Sequence, residues 1–523
     1  MRHDLVIKGG AVYDGRNNPP VRLDIGLKGD SIHSLGSGLS GDIVIDAYGL
    51  AVCPGFIDIH SHSDYYHLIN PRAESKIRQG VTSEVVGNCG YSAAPVEGKI
   101  LEERRKIYRQ EFGLDLDWRS MTEYYRRMEA ADLTLNLAPL VGHNTVRAAV
   151  MGGSVNRPPT ALERKKMSGF LRASMEAGAW GLSTGLIYPP ACFAGADELV
   201  ELNRAVAERG GVFTTHIRSE GPGLVEAVAE VIGIARESGV SLQISHLKTS
   251  GSANWHKLGE VFKLIESARE EGLDVTADRY PYLASNAGLG VLLPDWALEG
   301  GAETAVKRLK TPETRQKIRE EIREKHPSEF WEAVRISVAV SEKSKIYEGK
   351  NVREAAGSSD RIEFVFDLLI ENKMQVEAIY FTMCRENLER IIRKPYVMVA
   401  SDSAVRADYG PLSRGCPHPR AFGTFPRAIR EFALNRELLE LKEVIYKMTG
   451  FPASKLGLCR RGTIEEGAYA DLVVFDPGTI TDRAGYDDPF PYPAGITQVL
   501  VNGKLIIDQG TRLDRFAGLM LRK

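Results

Sequence analysis

A chain of 523 residues has room for two or three domains, or for one large barrel with an appended module. Its composition, 43% hydrophobic and 26% charged, is that of an ordinary globular protein, and a formal charge of -2 offers no footprint for nucleic acid or an anionic membrane. No apolar stretch nears transmembrane length, no leader-like run opens the chain, and the 6 cysteines are scattered without a C-x-x-C pair, so a reducing cytoplasmic setting with free thiols is expected.

In chain order, the first fifty residues read as short strands and Gly turns, as in "LVIKGGAVYDG" and "VRLDIGLKGDSIHSLG". The end of the chain has the same texture, in "GTIEEGAYADLVVFDP" and "ITQVLVNGKLIIDQGTRL". The spacing predicts one β-sandwich built from both termini, residues 1–54 and 450–523. Between them, residues 55–449 alternate β-rich runs with amphipathic helical stretches such as "GLVEAVAEVIGIARESG", the pattern of βα units around a parallel sheet. Eight runs qualify as strands: "GFIDIHSH", "VTSEVVGNCG", "LTLNLAPLVGH", "AWGLSTGLIY", "GVFTTHIRSE", "VSLQISHLK", "LDVTADRYPY" and "YVMVASDS". Eight units predict an α/β fold with a closed (β/α)8, TIM-like barrel. The seventh and eighth runs are too far apart for an ordinary connection. Residues 286–348, with charged helical sequence such as "ETRQKIREEIREKHPSEFWEAV", are therefore expected to be an insertion, and a candidate lid over the barrel mouth.

Metal-competent residues recur at the C-terminal ends of these runs. His60 and His62 end the first run and point the same way, because side chains alternate along a strand. Cys89 ends the second, His216 the fifth, His246 the sixth and Asp402 the eighth. Those ends converge on one face of such a barrel, where active sites are built. A core histidine usually stands alone with a satisfied hydrogen bond; four at strand ends beside a thiol and a carboxylate read as a metal site. Imidazole, thiolate and carboxylate together suit zinc. His3, His33, His67 and His256 match no strand end and read as surface or packing residues, and His143 as an outer neighbour of the site at most.

With these residues in place, the sequence resembles the amidohydrolase superfamily: an H-x-H after a Gly-Phe-Ile-Asp strand, one histidine on each of strands five and six, and a strand-eight aspartate. The fourth run holds no lysine to bridge two metals, and "VVGNCGYSAAP" is similar to the subgroup that bridges with a cysteine, the D-aminoacylases (N-acyl-D-amino-acid deacylases). "THIRSEG", "SHLKTSG", "YPY" and "HPRAFGTFPR" carry the likeness across nearly the whole chain. The stretch "SDSAVRADYGPLSRGCPHPR" departs from it, with a longer link between the aspartate and the His-Pro-Arg.

The resemblance implies zinc-dependent hydrolysis of N-acyl-D-amino acids. One tight Zn2+ would sit on Cys89, His216 and His246, and a second, weaker one would be framed by His60, His62 and Asp402 and share Cys89. Asp402 would be the general acid and base. Arg420 is the expected partner of the substrate α-carboxylate, with Lys248, Tyr280 and Tyr282 within reach and Tyr188 lining the acyl or side-chain pocket. The expected partner is a small N-acyl amino acid, with no nucleic acid or membrane; a homo-oligomer is compatible with this reading. Two rival readings stand beside it: a cyclic amidase of the hydantoinase or dihydroorotase kind, and a catalytically inactive scaffold.

Overall fold

The computed structural model describes residues 2–523. The two chain ends meet in one nine-stranded sheet. Arg2–Val12 pairs antiparallel with Val21–Lys28, and Ala51–Pro54 pairs antiparallel with Leu472–Phe475, so Val52 lies opposite Val474 across the junction. Apolar residues from both ends, among them Leu5, Ile7, Ile25, Leu472, Val474 and Leu500, form a shared core.

The eight expected strand runs all form strands. They are Phe56–Asp58, Val81–Val86, Asn136–Pro139 (resumed as Val141–Gly142), Gly181–Gly185, Val212–His216, Ser241–Ile244, Val275–Arg279 and Val397–Val399, called strands one to eight below. Every neighbouring pair in the ladder is parallel. Strands eight and one close the ring beyond their regular ends, where Asp402 N–H donates to His60 O (2.9 Å) and His62 N–H to Ser403 O (3.2 Å). The site residues are thus part of the closure itself. Helices cover the outside. In Leu224–Ser238 the buried positions Leu224, Ala227, Val228, Val231, Ile232 and Ala235 recur every three or four residues, a single apolar stripe laid on the sheet. Among the described residues no helix is long and apolar enough to cross a membrane.

Between strands seven and eight a second body is inserted. Ser285–Gly288, Val334–Ala339 and Val376–Tyr380 form an antiparallel sheet, and Leu289, Ile318, Ile336, Phe366 and Val376 share its own core. It extends past residue 348, where the sequence reading ended it, to Tyr380. The reason is topological: Val376–Tyr380 is the central strand, paired with both others, so the sheet is incomplete without the last segment. This body is tied to the link after Asp402, with Cys416 N–H donating to Ser337 O (2.8 Å).

Candidate metal centre

Four of the six expected ligands converge at the barrel mouth. The donor atoms of His60, Cys89, His246 and Asp402 all lie within 4.8 Å of one another. Cys89 Sγ is 3.3 Å from His60 Nε2, 3.7 Å from His246 Nε2 and 3.9 Å from His216 Nδ1. His62 stands one step out, with Nε2 3.0 Å from Asp402 Oδ1, while the same oxygen is 3.4 Å from His60 Nε2. A thiol, two imidazoles and a carboxylate this close together, with His62 and His216 beside them, are donors that fit a borderline divalent ion.

The local backbone is forced into this arrangement. Cys89, His246 and Asp402 have φ of +50°, +38° and +50°, the left-handed region that costs a side-chain-bearing residue about 1–3 kcal/mol. Such strain at three donors shows that packing over-determines their positions. Gly185 is one reason Cys89 fits: a Cβ there would collide with the Cys89 carbonyl oxygen.

Electrostatics follow from the crowding. Burial pushes the Cys89 thiol up, but the charge of His60 and the hydrogen bonds from His216, His246 and His60 outweigh it and hold it well below the ordinary thiol range. Burial likewise opposes ionisation of Asp402, yet Arg420, His60 and His246 keep it well below the usual carboxylate range. Arg420 Nη1 donates to Asp402 Oδ2 at 2.7 Å.

Expected substrate groups fall into two sets. Tyr280 faces the site: its ring lies under Arg420 (4.7 Å), and its buried hydroxyl has no partner among the described residues. Tyr188 stacks edge-on against His216 at 5.0 Å. Tyr282 turns away, its ring under Arg427 and against His418, and it lines a surface cleft of about 410 Å³ with Phe381, Arg385 and Phe432. Lys248 is already engaged: its ammonium is 2.8 Å from His246 Nδ1 and ion-paired with Glu220. His143 lies outside the site, buried against Glu198 at 2.8 Å.

Two further acids, Glu220 and Asp278, stand beside the donors without a place in the expected ligand set. Glu220 Oε1 is 3.0 Å from His246 Nδ1, and Asp278 Oδ1 is 3.2 Å from His60 Nδ1. A signal for each was present: an acid four residues after His216 in "THIRSE", and one inside the apolar run "VTADR".

A closed parallel barrel with these donors at its strand ends is the architecture of a metal-dependent amide hydrolase. Residues 43–507 match the family described as "Amidohydrolase family", and the chain belongs to it. It is 34% identical to a D-aminoacylase of Alcaligenes xylosoxydans xylosoxydans, covering 99% of this chain and 98% of the relative. It is 36% identical to an N-acyl-D-glutamate deacylase of the same organism, covering 99% and 96%. The crystal structure of N-acyl-D-glutamate deacylase from Bordetella bronchiseptica, complexed with zinc and a phosphonate mimic of the tetrahedral intermediate, aligns over 100% of both chains at 32% identity and a TM-score of 0.84. A D-hydantoinase at 14% identity and a TM-score of 0.57 shares the fold alone.

Proposed function

We propose that the chain hydrolyses the amide bond of N-acyl-D-amino acids to a carboxylate and a free D-amino acid. Cys89, His216 and His246 would hold one tight Zn2+, and His60, His62 and Asp402 would frame a second, weaker position sharing Cys89. The observation that carries this reading is Cys89 itself: a buried thiol at the end of strand two, ringed by His60, His216 and His246, in a barrel whose strand four, Gly181–Gly185, holds no lysine. When bound, such an ion polarises the acyl carbonyl and brings the pKa of water to about 7.

Asp402 takes the proton of the attacking water and returns it to the leaving nitrogen, a role worth about 10²–10⁴-fold. Arg420 binds the substrate α-carboxylate, where a guanidinium can form two parallel bonds. In the free protein its charge rests on Asp402. An arriving carboxylate shares that cation and leaves Asp402 a better proton acceptor. Tyr280 donates its unpartnered hydroxyl to substrate oxygen, and Tyr188 borders the acyl or side-chain pocket. The inserted body, tied to the link between Asp402 and Arg420, serves as the lid. Six free cysteines favour a reducing compartment, in line with a cytoplasmic enzyme. No ligand of the set is missing, which speaks against an inactive scaffold.

The test is a panel of N-acetyl-D- and N-acetyl-L-amino acids, with hydantoin and dihydroorotate alongside, on protein of measured zinc content. Turnover of the D series with one to two zinc per chain is expected. Activity on the cyclic amides alone would replace the reading, and full activity without a transition metal would end it.

A further inference from the structure

We propose that Asp278 is the positioning residue that couples the two halves of this metal centre. The inference rests on the metal reading above and assigns a device within it. Asp278 is the last residue but one of strand seven and is buried (1% exposed). Its Oδ1 accepts from the backbone N–H of His246 at 2.8 Å and lies 3.2 Å from His60 Nδ1. Its Oδ2 accepts from Gln243 Nε2 at 2.8 Å, and the Gln243 carbonyl oxygen in turn accepts from the Thr276 hydroxyl. Among the described residues its only ion pair is with His60. A buried carboxylate without a Lys or Arg partner is an expensive way to fill an inward-facing strand position, where Val or Ile would pack at no electrostatic cost.

What it does there follows from its two donors. A His60 ring that donates its Nδ1–H to Asp278 would be left to offer a metal ion its Nε2, the atom that in the metal-free protein faces Cys89 Sγ (3.3 Å) and Asp402 Oδ1 (3.4 Å). The His246 N–H belongs to a residue at φ +38°, and the bond to Asp278 holds that strained turn so that Nε2 reaches to within 3.7 Å of Cys89. One oxygen therefore sets the tautomer of a ligand on strand one and the backbone of a ligand on strand six. His60 serves the weaker position and His246 the tighter one. Loss of Asp278 therefore weakens both, although its carboxylate stands outside the donor set.

The experiment strips the full-length protein with a chelator and titrates it anaerobically with Co2+. The visible d–d bands and the near-ultraviolet thiolate-to-metal band report binding at Cys89 independently of turnover. Asp278→Ala is expected to lower Co2+ affinity about 10–100-fold at each binding event, the range found for outer partners of metal ligands. Asp278→Asn keeps an oxygen for the His246 N–H and loses the charge that orients His60, so the weaker event should suffer more than the tighter one. It also decides the matter if Asp278→Ala does not fold. Variants that lose thermal stability while both Co2+ isotherms and both bands stay as in the wild type would overturn the inference and leave Asp278 a packing residue. A wild type that takes up no Co2+ would overturn the metal reading, and this inference with it.

Discussion

Two clusters of buried charge sit on the same strands, one to five residues apart, and they are built on opposite principles. Beneath the metal centre, Lys76 Nζ reaches Asp58 Oδ2 (2.7 Å), Ser401 Oγ (2.7 Å), Ser403 O (2.9 Å) and Glu84 (3.0 Å), while Glu84 also accepts from Ser61 and faces His67 at 2.7 Å. Asp58 further takes the Ser401 N–H at 2.9 Å. That cluster fastens strands one, two and eight, and every charge in it is paired; only the far nitrogen of His67, Nδ1, lacks a hydrogen-bond partner among the described residues. In the cluster above, Cys89, His246 and Asp402 are strained, and His216 Nε2 and the Tyr280 hydroxyl have no partner among the described residues. Satisfied buried charge holds a fold together; strained and open donors are kept for a ligand.

The comparison breaks most visibly at Cys89. Cys89→Ala should remove bound metal and lower kcat/KM by more than the roughly 100-fold cost of losing an outer partner. Any fall in the thermal midpoint of chelator-treated protein should be small beside the loss of metal, although the variant also gives up the contacts of Sγ with His60, His216 and His246. Cys192→Ala should keep both metal and turnover. A Cys89→Ala protein with full zinc and turnover would remove the thiolate from the centre.

In the lower cluster the sign reverses. Lys76→Met should cost about 3–5 kcal/mol of stability, because it strands two buried carboxylates, while folded protein keeps its metal. Denaturant midpoints set against metal content read the two effects apart, and a midpoint within experimental error of wild type would refute the role. The same cluster sets an acid limit. Burial works against ionised Glu84, but Lys76 and His67 prevail and depress it from 4.5 to about 2. A depressed carboxyl contributes stability that is complete above about 4.5 and is lost as pH falls toward 2. Glu84→Gln should flatten the stability profile across that window; an unchanged slope would exclude Glu84 as its source.

A smaller effect sharpens the upper cluster from the substrate side. Arg420→Ala should lose turnover of an N-acyl amino acid by about 10²–10³-fold, with Arg420→Lys recovering part of it, because a point charge cannot reproduce the fork. A substrate carrying an uncharged amide in place of the carboxylate should be poor for the wild type and no worse than the acid for the variant. Equal losses on acid and amide would make Arg420 a support of the loop alone. The finest contrast is between two tyrosines. Tyr280→Phe should reduce kcat/KM by roughly tenfold, the worth of about one hydrogen bond, and Tyr282→Phe hardly at all. The reverse order would place Tyr282, and not Tyr280, against the substrate.

Residue order alone determined the barrel and most of its donors. Eight apolar runs with helical stretches between them have few solutions other than a closed parallel sheet, and His, Cys and Asp at the ends of such runs stand out from an apolar background. The shared strand-and-turn texture of the two chain ends pointed to one β unit built from both, but the pairing of Ala51–Pro54 with Leu472–Phe475 within a single sheet came only with the fold. What tertiary structure decided lies wherever local periodicity stops. Tyr280 and Tyr282, two residues apart, would share a face if strand seven continued; it ends at Arg279, and after Pro281 the chain turns Tyr282 toward Arg427. The inserted body ends at Tyr380 because its central strand comes last in sequence, an order that no neighbouring residue reveals. Lys248 and Arg420 read as free cations along the chain, yet the fold sets Glu220 beside one and Asp402 beside the other. A sequence names the charges it carries; which of them meet depends on chain closure across hundreds of residues, and only the folded barrel brings that about.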